Sequence, residues 1–194
     1  IGVGVTGAFH MLDASGTETT RTSGESNPGS HEEDAFVPEL FIEAFTDGGA
    51  TIGISYIPVR DMGSKSRSDS NSEGDTGTYK ANAELDNVVQ FYVDYPFADA
   101  YGATIYGKVG VQRATIKTLE SLNSGSSYPD EDVFGMTLGL GARGDLPYGN
   151  MYYKAEAAYT DFGDYSENDE QGTGNKVEAD LEDIALKLSL GYKF

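Results

Sequence analysis

The chain has 194 residues, carries a formal net charge of −19 at pH 7 and contains no cysteine. The charge argues against a nucleic-acid partner, because phosphate binding needs a basic patch, and the lack of cysteine excludes a disulfide-held domain, a thiolate metal site and a cysteine nucleophile. No run approaches the roughly 18 apolar residues of a spanning helix, whereas membrane-spanning strands alternate apolar and polar residues and escape this test.

Period-two alternation of apolar and polar residues predicts eight strands in a single domain covering residues 1–194. In chain order they cover residues 3–11, 36–45, 52–56, 85–95, 105–112, 134–143, 151–159 and 184–194. The last is the clearest, since every even position from Ile184 to Phe194 is apolar and every odd position between them is small or charged. It is about as long as a membrane-spanning strand and longer than the usual strand of a soluble sandwich.

The connections between the predicted strands alternate in length. Short turns are predicted at residues 47–49, 96–102 and 147–150, and long polar loops at residues 13–33, 61–77, 120–131 and 163–176. Outer-membrane barrels have short periplasmic turns and long extracellular loops. The pattern therefore predicts an all-β fold, an eight-stranded antiparallel up-and-down transmembrane β-barrel with both termini in the periplasm.

The first short turn fixes a register between its two strands. Outward positions are even on both strands, so a three-residue loop pairs Thr46 with Ala50 and leaves Gly49 for the left-handed conformation. The same register places Pro38 opposite Pro58. Proline donates no hydrogen bond to a ladder, so we expect the hairpin to bulge or splay there, near the outer boundary of the membrane.

The terminal Leu-Ser-Leu-Gly-Tyr-Lys-Phe, the alternating faces and the loop asymmetry together resemble the eight-stranded outer-membrane barrels of the OmpA, OmpX and opacity-protein group. The resemblance implies a location in the outer membrane of a Gram-negative bacterium, in contact with outer-membrane lipid and lipopolysaccharide. It also implies that Tyr192 and Phe194 belong to an assembly signal read by the barrel-assembly machinery.

The inward faces of the predicted strands carry both signs of charge. Eight strands enclose only enough space for side chains, and an unpaired buried charge is costly. The pattern therefore predicts a paired charge network that plugs the lumen, and the alternative is a narrow ion path lined by the same side chains. These residues are Glu39, Glu43, Glu84, Asp86, Asp94, Lys108, Arg143, Lys154, Glu156, Asp183 and Lys187.

The acidic loops could hold divalent cations, for example between carboxylates and lipopolysaccharide phosphates. Asp69, Asn71 and Glu73, followed by Gly74, mimic the opening of a calcium loop. Lys80 stands at the twelfth position, where an EF-hand requires a bidentate glutamate, so this motif fails. The sequence predicts no cofactor and no defined metal site, and a solvated, repulsive surface is the other interpretation of the acidic loops.

No catalytic residue is predicted. His10 and His31 are the two histidines, and a lipid-modifying barrel enzyme needs a histidine near a serine or acid at its rim. We predict a non-enzymatic outer-membrane protein with a structural or surface-interaction role, whose acidic loops contact an unidentified extracellular partner. A narrow porin-like channel or small-molecule conduit is the alternative, followed by a rim-located lipid-modifying enzyme. A soluble barrel buried in an oligomer would share the strand pattern.

Overall fold

A computed structural model of the chain describes residues 1–19, 24, 26–58, 60–70, 76–121, 128–168, 172 and 174–194. These residues form β-strands and their connections. The strands are β1 (Gly2–Thr19), β2 (Ser26–Phe45), β3 (Thr51–Ile57), β4 (Arg60–Ser70), β5 (Thr76–Ala100), β6 (Ala103–Ser121), β7 (Glu131–Asp145), β8 (Met151–Asn168) and β9 (Lys176–Lys193). Across these ranges there is no helix long and apolar enough to cross a membrane.

The strands close into a barrel. Strands that follow one another in the chain pair antiparallel, except β3 and β4, and β1 pairs with β9. Both β3 and β4 pair with β5, so together they form one wall strand in two pieces, and the barrel has eight wall strands. The predicted eight-stranded antiparallel up-and-down barrel is confirmed, and the position of its termini relative to the periplasm stays a prediction.

The strands run well into the segments that the sequence predicts as long loops. β1 continues to Thr19 and β2 begins at Ser26, so most of residues 13–33 is strand. The same holds for much of residues 61–77 and 163–176. Most residues of these segments are polar on both faces of the strand. A search for alternating apolar and polar residues does not detect such a strand. We call this part the extension. It comprises residues 13–19, 26–34, 60–70, 76–86, 113–121, 131–132, 161–168 and 176–182.

The opposite end of the barrel has tight turns. Thr46 N–H donates to the Ala50 carbonyl at 2.9 Å, and Gly49 has a φ of 80°, as the spacing predicts. The turn within the predicted segment 96–102 is narrower than expected: Tyr101 and Gly102, with φ values of 53° and 80°, join β5 directly to β6. Both central residues of a type I′ hairpin turn take positive φ, which explains the fit.

β2 and β3 part at the level of the two prolines. Their ladder runs from Phe45–Thr51 to Leu40–Tyr56, a register that would place Pro38 opposite Pro58 if it continued. It stops before them, because a proline cannot donate to the ladder. β2 continues beyond this point with β1 as its ladder partner.

The outer surface of the barrel below the extension is apolar. Leu188 is 71% exposed and Phe134 is 68% exposed. In a soluble barrel such large apolar side chains would lie inside. The same belt surrounds the barrel. It includes Val3, Val5, Phe9, Phe36, Leu40, Ile42, Ile52, Ile54, Tyr56, Val89, Phe91, Val109, Val111, Phe134, Met136, Leu138, Leu140, Tyr159, Ile184, Leu186, Leu188, Leu190 and Tyr192.

Candidate functional site: the lumen

The lumen is filled in layers, as β6 shows along its length. Its inward side chains are Ala114 and Ile116 at the base of the extension, then Gln112, then Lys108 and Tyr106 toward the short turns. The layer at the base of the extension is apolar, and we call it the apolar layer. It consists of Leu12, Val37, Ile57, Leu85, Val88, Ala114, Ile116, Val133, Phe162, Tyr165 and Leu181.

A layer of amides and hydroxyls lies below the apolar layer. The Gln90 and Gln112 amide nitrogens each donate to Thr137 Oγ1 at 2.9 Å. Gln112 also donates to Thr160 Oγ1 at 3.0 Å. These buried groups hydrogen-bond to one another without adding charge to the centre of the barrel.

The next layer, which we call the charged layer, alternates acids and lysines. Lys108 lies 2.8 Å from Glu156 and 3.6 Å from Asp94. Lys154 lies 2.6 Å from Asp94 and 2.9 Å from Glu43. Asp94 thus lies between two lysines, and the layer forms a chain of ion pairs across the lumen. Such a chain offsets the desolvation that an isolated buried charge would suffer.

Three tyrosines complete the charged layer. Tyr92 and Tyr152 donate their hydroxyls to Glu43 at 2.8 and 2.7 Å, and Tyr106 donates to Glu156 at 3.0 Å. The sequence places these tyrosines on inward faces, but a charge-based search does not select them. Each lies on the inward face of its strand opposite a glycine of the neighbouring strand, and this pattern is the sequence signal that could have identified them.

A second cluster joins β1, β2 and β9. Both ring nitrogens of His10 face carboxylates: Nδ1 lies 2.8 Å from Asp183, and Nε2 lies 3.3 Å from Glu39. Lys187 Nζ lies 2.9 Å from the same Glu39 oxygen. His10 is not among the residues predicted for the charge network, and the structure places it there.

Arg143 closes the lumen at the short-turn end. Its guanidinium donates to the Gly49 carbonyl at 2.6 Å and to the Thr51 hydroxyl. It also lies over the Phe45 ring, 5.6 Å from the ring centre. Arg143 therefore ties the turn between β2 and β3 to the interior.

Most of the residues predicted for the lumen lie inside it. They are Glu39, Glu43, Asp94, Lys108, Arg143, Lys154, Glu156, Asp183 and Lys187.

Glu84 and Asp86 require a correction, because they point away from the lumen. The β5–β6 register shifts between Asp86 and Val89, and Asn87 takes a φ of 51°. This bulge reverses the parity of β5, so that Leu85 is buried inside and Asp86 pairs with Lys117 on the outer face.

The other predicted residues are the weak metal-ligand candidates and the two aromatic residues of the predicted assembly signal. Asn71 and Glu73 lie outside the described residues, and Asp69 is described only as part of the backbone of β4. Over the described ranges there is no group of three or more His, Asp or Glu residues arranged to hold a metal ion. The rings of Tyr192 and Phe194 pack edge to face at 5.1 Å near the end of β9.

The side chains of the charged layer leave little empty space among them. The cavity among Thr6, Glu39, Tyr92, Lys154 and neighbouring side chains has a volume of about 10 Å³. A single water molecule needs about that much room. The charged layer is therefore packed as a solid cross-section.

No protein-family model and no curated protein matches the chain. Several solved structures do. The outer membrane protein OprG from Pseudomonas aeruginosa matches with 18% identity and a TM-score of 0.58 over 100% of this chain and 95% of that one. Neisserial surface protein A matches with 12% identity and a TM-score of 0.46 over 97% of each chain. The outer membrane protease OmpT from Escherichia coli matches with 10% identity and a TM-score of 0.40 over 100% of this chain and 97% of that one.

The likeness to OprG confirms the predicted fold, which is that of the small outer-membrane β-barrels. The structure adds an independent argument for the surroundings. Its apolar belt faces outward and its ion pairs face inward, as expected for a barrel that spans a membrane. This fold and this surface are those of a bacterial outer-membrane protein.

Proposed function

We propose that this chain is a plugged outer-membrane barrel that serves as a rigid base for a surface-interaction extension. The observation that carries the proposal is the filled lumen, from Arg143 at the short turns to the apolar layer at the base of the extension. A rigid barrel without a conducting path leaves the extension as the part of the molecule that can meet a partner. The proposal places the extension at the cell exterior and both termini in the periplasm.

Ion pairing opposes conduction through the lumen. An ion crossing the charged layer would have to displace Lys154 from Asp94 and Glu43, where it lies within 2.9 Å of each. Breaking a buried pair costs about 3–5 kcal/mol. A crossing ion would then meet the apolar layer, which supplies no polar partner to replace its water.

The position of His10 supports a non-catalytic role. The ring is 1% exposed and lies between the carboxylates of Glu39 and Asp183. A rim enzyme would need that ring at a surface where substrate can reach it. The arrangement favours a structural role for the histidine.

Conductance in planar bilayers tests the proposal. We expect the unaltered protein to show no steady openings. A variant that shortens both members of one pair, Glu43→Ala with Lys154→Ala, keeps the lumen charge balanced and should also stay silent, because the apolar layer remains in place. Steady openings of the unaltered protein at neutral pH would contradict a plugged lumen.

The parting of β2 from β3 favours a second candidate, a conduit for small apolar molecules. Above Leu40 and Tyr56 the described residues of β2 and β4 share no ladder, and the buried side chains Val37 and Ile57 of the apolar layer lie beside this gap. A molecule entering from the extension could leave sideways into the membrane without crossing the charged layer.

Transfer of a fluorescent hydrocarbon into proteoliposomes tests the conduit. Val37→Trp, beside the gap, should slow the transfer. Val133→Trp, placed in the same layer on β7, is the matched control. Equal rates with protein-free liposomes would dismiss this candidate.

A further inference from the structure

One edge of β2 lacks a ladder partner in the extension. β2 pairs with β1 from Ser26 to Glu43, whereas its ladder with β3 ends at Leu40. The next strand around the barrel, β4, pairs with β5, and no ladder joins it to β2 within the described ranges. Apart from Pro28 and Pro38, which have no N–H to donate, residues 26–39 therefore present backbone donors and acceptors, which are a template for another strand.

The opposite edge of the same sheet is covered differently. β8 loses its ladder with β7 beyond Asp161. There the Tyr165 hydroxyl lies 3.5 Å from the carbonyl of Pro129. The segment just before β7 thus lies against this edge. The β2 edge is the longer of the two and the one open to addition.

Acidic side chains line the β2 edge. Glu32 and Asp34 are exposed on the outer face, and Asp13 on β1 lies directly opposite Glu32. Glu33, on the other face, lies 3.2 Å from His31. A strand added here would therefore meet carboxylates on its outer face at alternate positions.

The sheet that carries this edge is acidic throughout. In the extension, β1, β2, β8 and β9 contain one basic residue, Lys176. Their acidic residues in the extension are Asp13, Glu18, Glu32, Glu33, Asp34, Asp161, Asp164, Glu167, Glu178, Asp180 and Glu182. Such a surface attracts cations over a distance set by the ionic strength.

We infer that the β2 edge binds an extended, basic segment of a partner polypeptide by β-strand addition. The inference rests on the proposed surface-interaction function and names the class of its partner. Main-chain hydrogen bonds to residues 26–39 would supply affinity, and lysine or arginine at alternate positions would pair with Glu32 and Asp34.

Charge disfavours a second copy of this chain as the occupant. A net charge of −19 opposes association of two copies. Pairing β2 with the β2 of another copy would also bring two sets of carboxylates together across the new ladder. Like charges directly opposite each other destabilise a sheet, so the partner is of opposite charge.

Hydrogen exchange of the protein in zwitterionic nanodiscs tests the inference. The probe is a synthetic peptide in which Lys and Thr alternate. We expect it to slow exchange of the amides of residues 26–39 at least roughly tenfold at saturation, an effect of about 1.4 kcal/mol in opening free energy. A Lys–Pro peptide of equal charge, which has few donors, and a Glu–Thr peptide should leave exchange unchanged.

Matched charge variants locate the contact. Glu32→Gln with Asp34→Asn should weaken binding of the Lys–Thr peptide by roughly fivefold at low salt, since each exposed pair contributes modestly. Glu178→Gln with Asp180→Asn removes the same charge from β9, which is paired on both sides, and should change binding by less than about twofold. Equal weakening by the two variants would overturn the assignment to the β2 edge.

The peptides and the bilayer recordings have separate outcomes. Equal protection by the Lys–Thr and Lys–Pro peptides, or protection by neither, would overturn strand addition even if the bilayer stays silent. Steady channel openings with selective Lys–Thr binding intact would overturn the plugged lumen alone.

Discussion

The phenol ring of Tyr92 on β5 lies over Gly53 on β3, its direct partner in the ladder between these strands. A Cβ atom at residue 53 would overlap the ring. The ring occupies the space of a Gly53 side chain, and its hydroxyl reaches Glu43 at 2.8 Å. The same relationship joins Tyr106 to Gly141 and Tyr152 to Gly191. The tyrosine rings of the charged layer therefore require glycine at the facing positions of the barrel wall.

Gly53→Ala should destabilise the barrel by about 1–3 kcal/mol, because the added methyl group forces the Tyr92 ring out of a packed position. Unfolding by urea in lipid vesicles, followed by heat-modifiable gel mobility, measures the effect. Gly107→Ala is the control, since a Cβ there would meet no atom closer than 4.0 Å. If both variants unfold at the same urea concentration, the packing argument fails.

Glu43→Gln should destabilise the barrel by about 3 kcal/mol. The carboxylate accepts from Tyr92, Tyr152 and Lys154, and neutralising one member of a buried ionic network leaves the other charge poorly compensated. Urea unfolding again supplies the measurement. Asp86→Asn removes an acid of the outer face and should leave the midpoint unchanged. A larger effect at Asp86 than at Glu43 would contradict the placement of these two acids.

Asn87→Val should destabilise the barrel by about 1–3 kcal/mol, whereas Asn87→Gly should be tolerated. Asn87 has a φ of 51°, a conformation that glycine adopts freely and a β-branched residue avoids. The bulge also keeps Asp86 on the outer face. The thiol of an Asp86→Cys variant should therefore react with a membrane-impermeant maleimide in the folded protein. Protection of that cysteine would show that the β5 parity does not reverse.

The upper part of β8 and β9 should be more stable at acidic pH. Asp164 and Asp180 lie opposite each other, and the hydrogen bond with Asp164 raises the pKa of Asp180 above its ordinary value. A raised folded-state pKa contributes stability that is full below about pH 4, the ordinary pKa of aspartate, and is lost as the pH rises through the raised pKa.

Hydrogen exchange of residues 176–182, corrected for the intrinsic pH dependence, measures this effect. Exchange should be slower below pH 4 than at neutral pH, and Asp180→Asn should flatten the dependence. Asp99→Asn, at the short-turn end of the barrel, should leave it unchanged. A profile that is flat in the unaltered protein would contradict repulsion between the paired carboxylates.

Period two was sufficient to predict the barrel, because below the extension one face of every strand meets lipid and the other meets the lumen. It also predicts the Thr46–Ala50 turn, since a three-residue loop fixes the parity of both flanking strands. The pattern weakens in the extension, where both faces are polar. Strands there become visible only through their ladders, such as Thr19–Ser26 and Thr19–Lys176.

The charged layer could be predicted in composition but not in pairing. Parity places Lys154 and Asp94 inside, but their contact at 2.6 Å depends on the stagger between distant strands. Parity also fails beyond a bulge, as Glu84 and Asp86 show. Asn87 interrupts the apolar face of β5 and is a residue type that accepts a positive φ, but its presence does not reveal that the parity of the strand reverses there.

The seam between β1 and β9 has a kinetic consequence. It pairs residues as distant in sequence as Gly2 and Lys193, and pairings of such high sequence separation form slowly. The buried contacts of Thr6 with Ser189 and of His10 with Asp183, both at 2.8 Å, cross this seam. His10 therefore gains its Asp183 contact only when the first and last strands meet. The NMR signal of the His10 imidazole ring should therefore report the rate at which β1 and β9 pair and close the barrel.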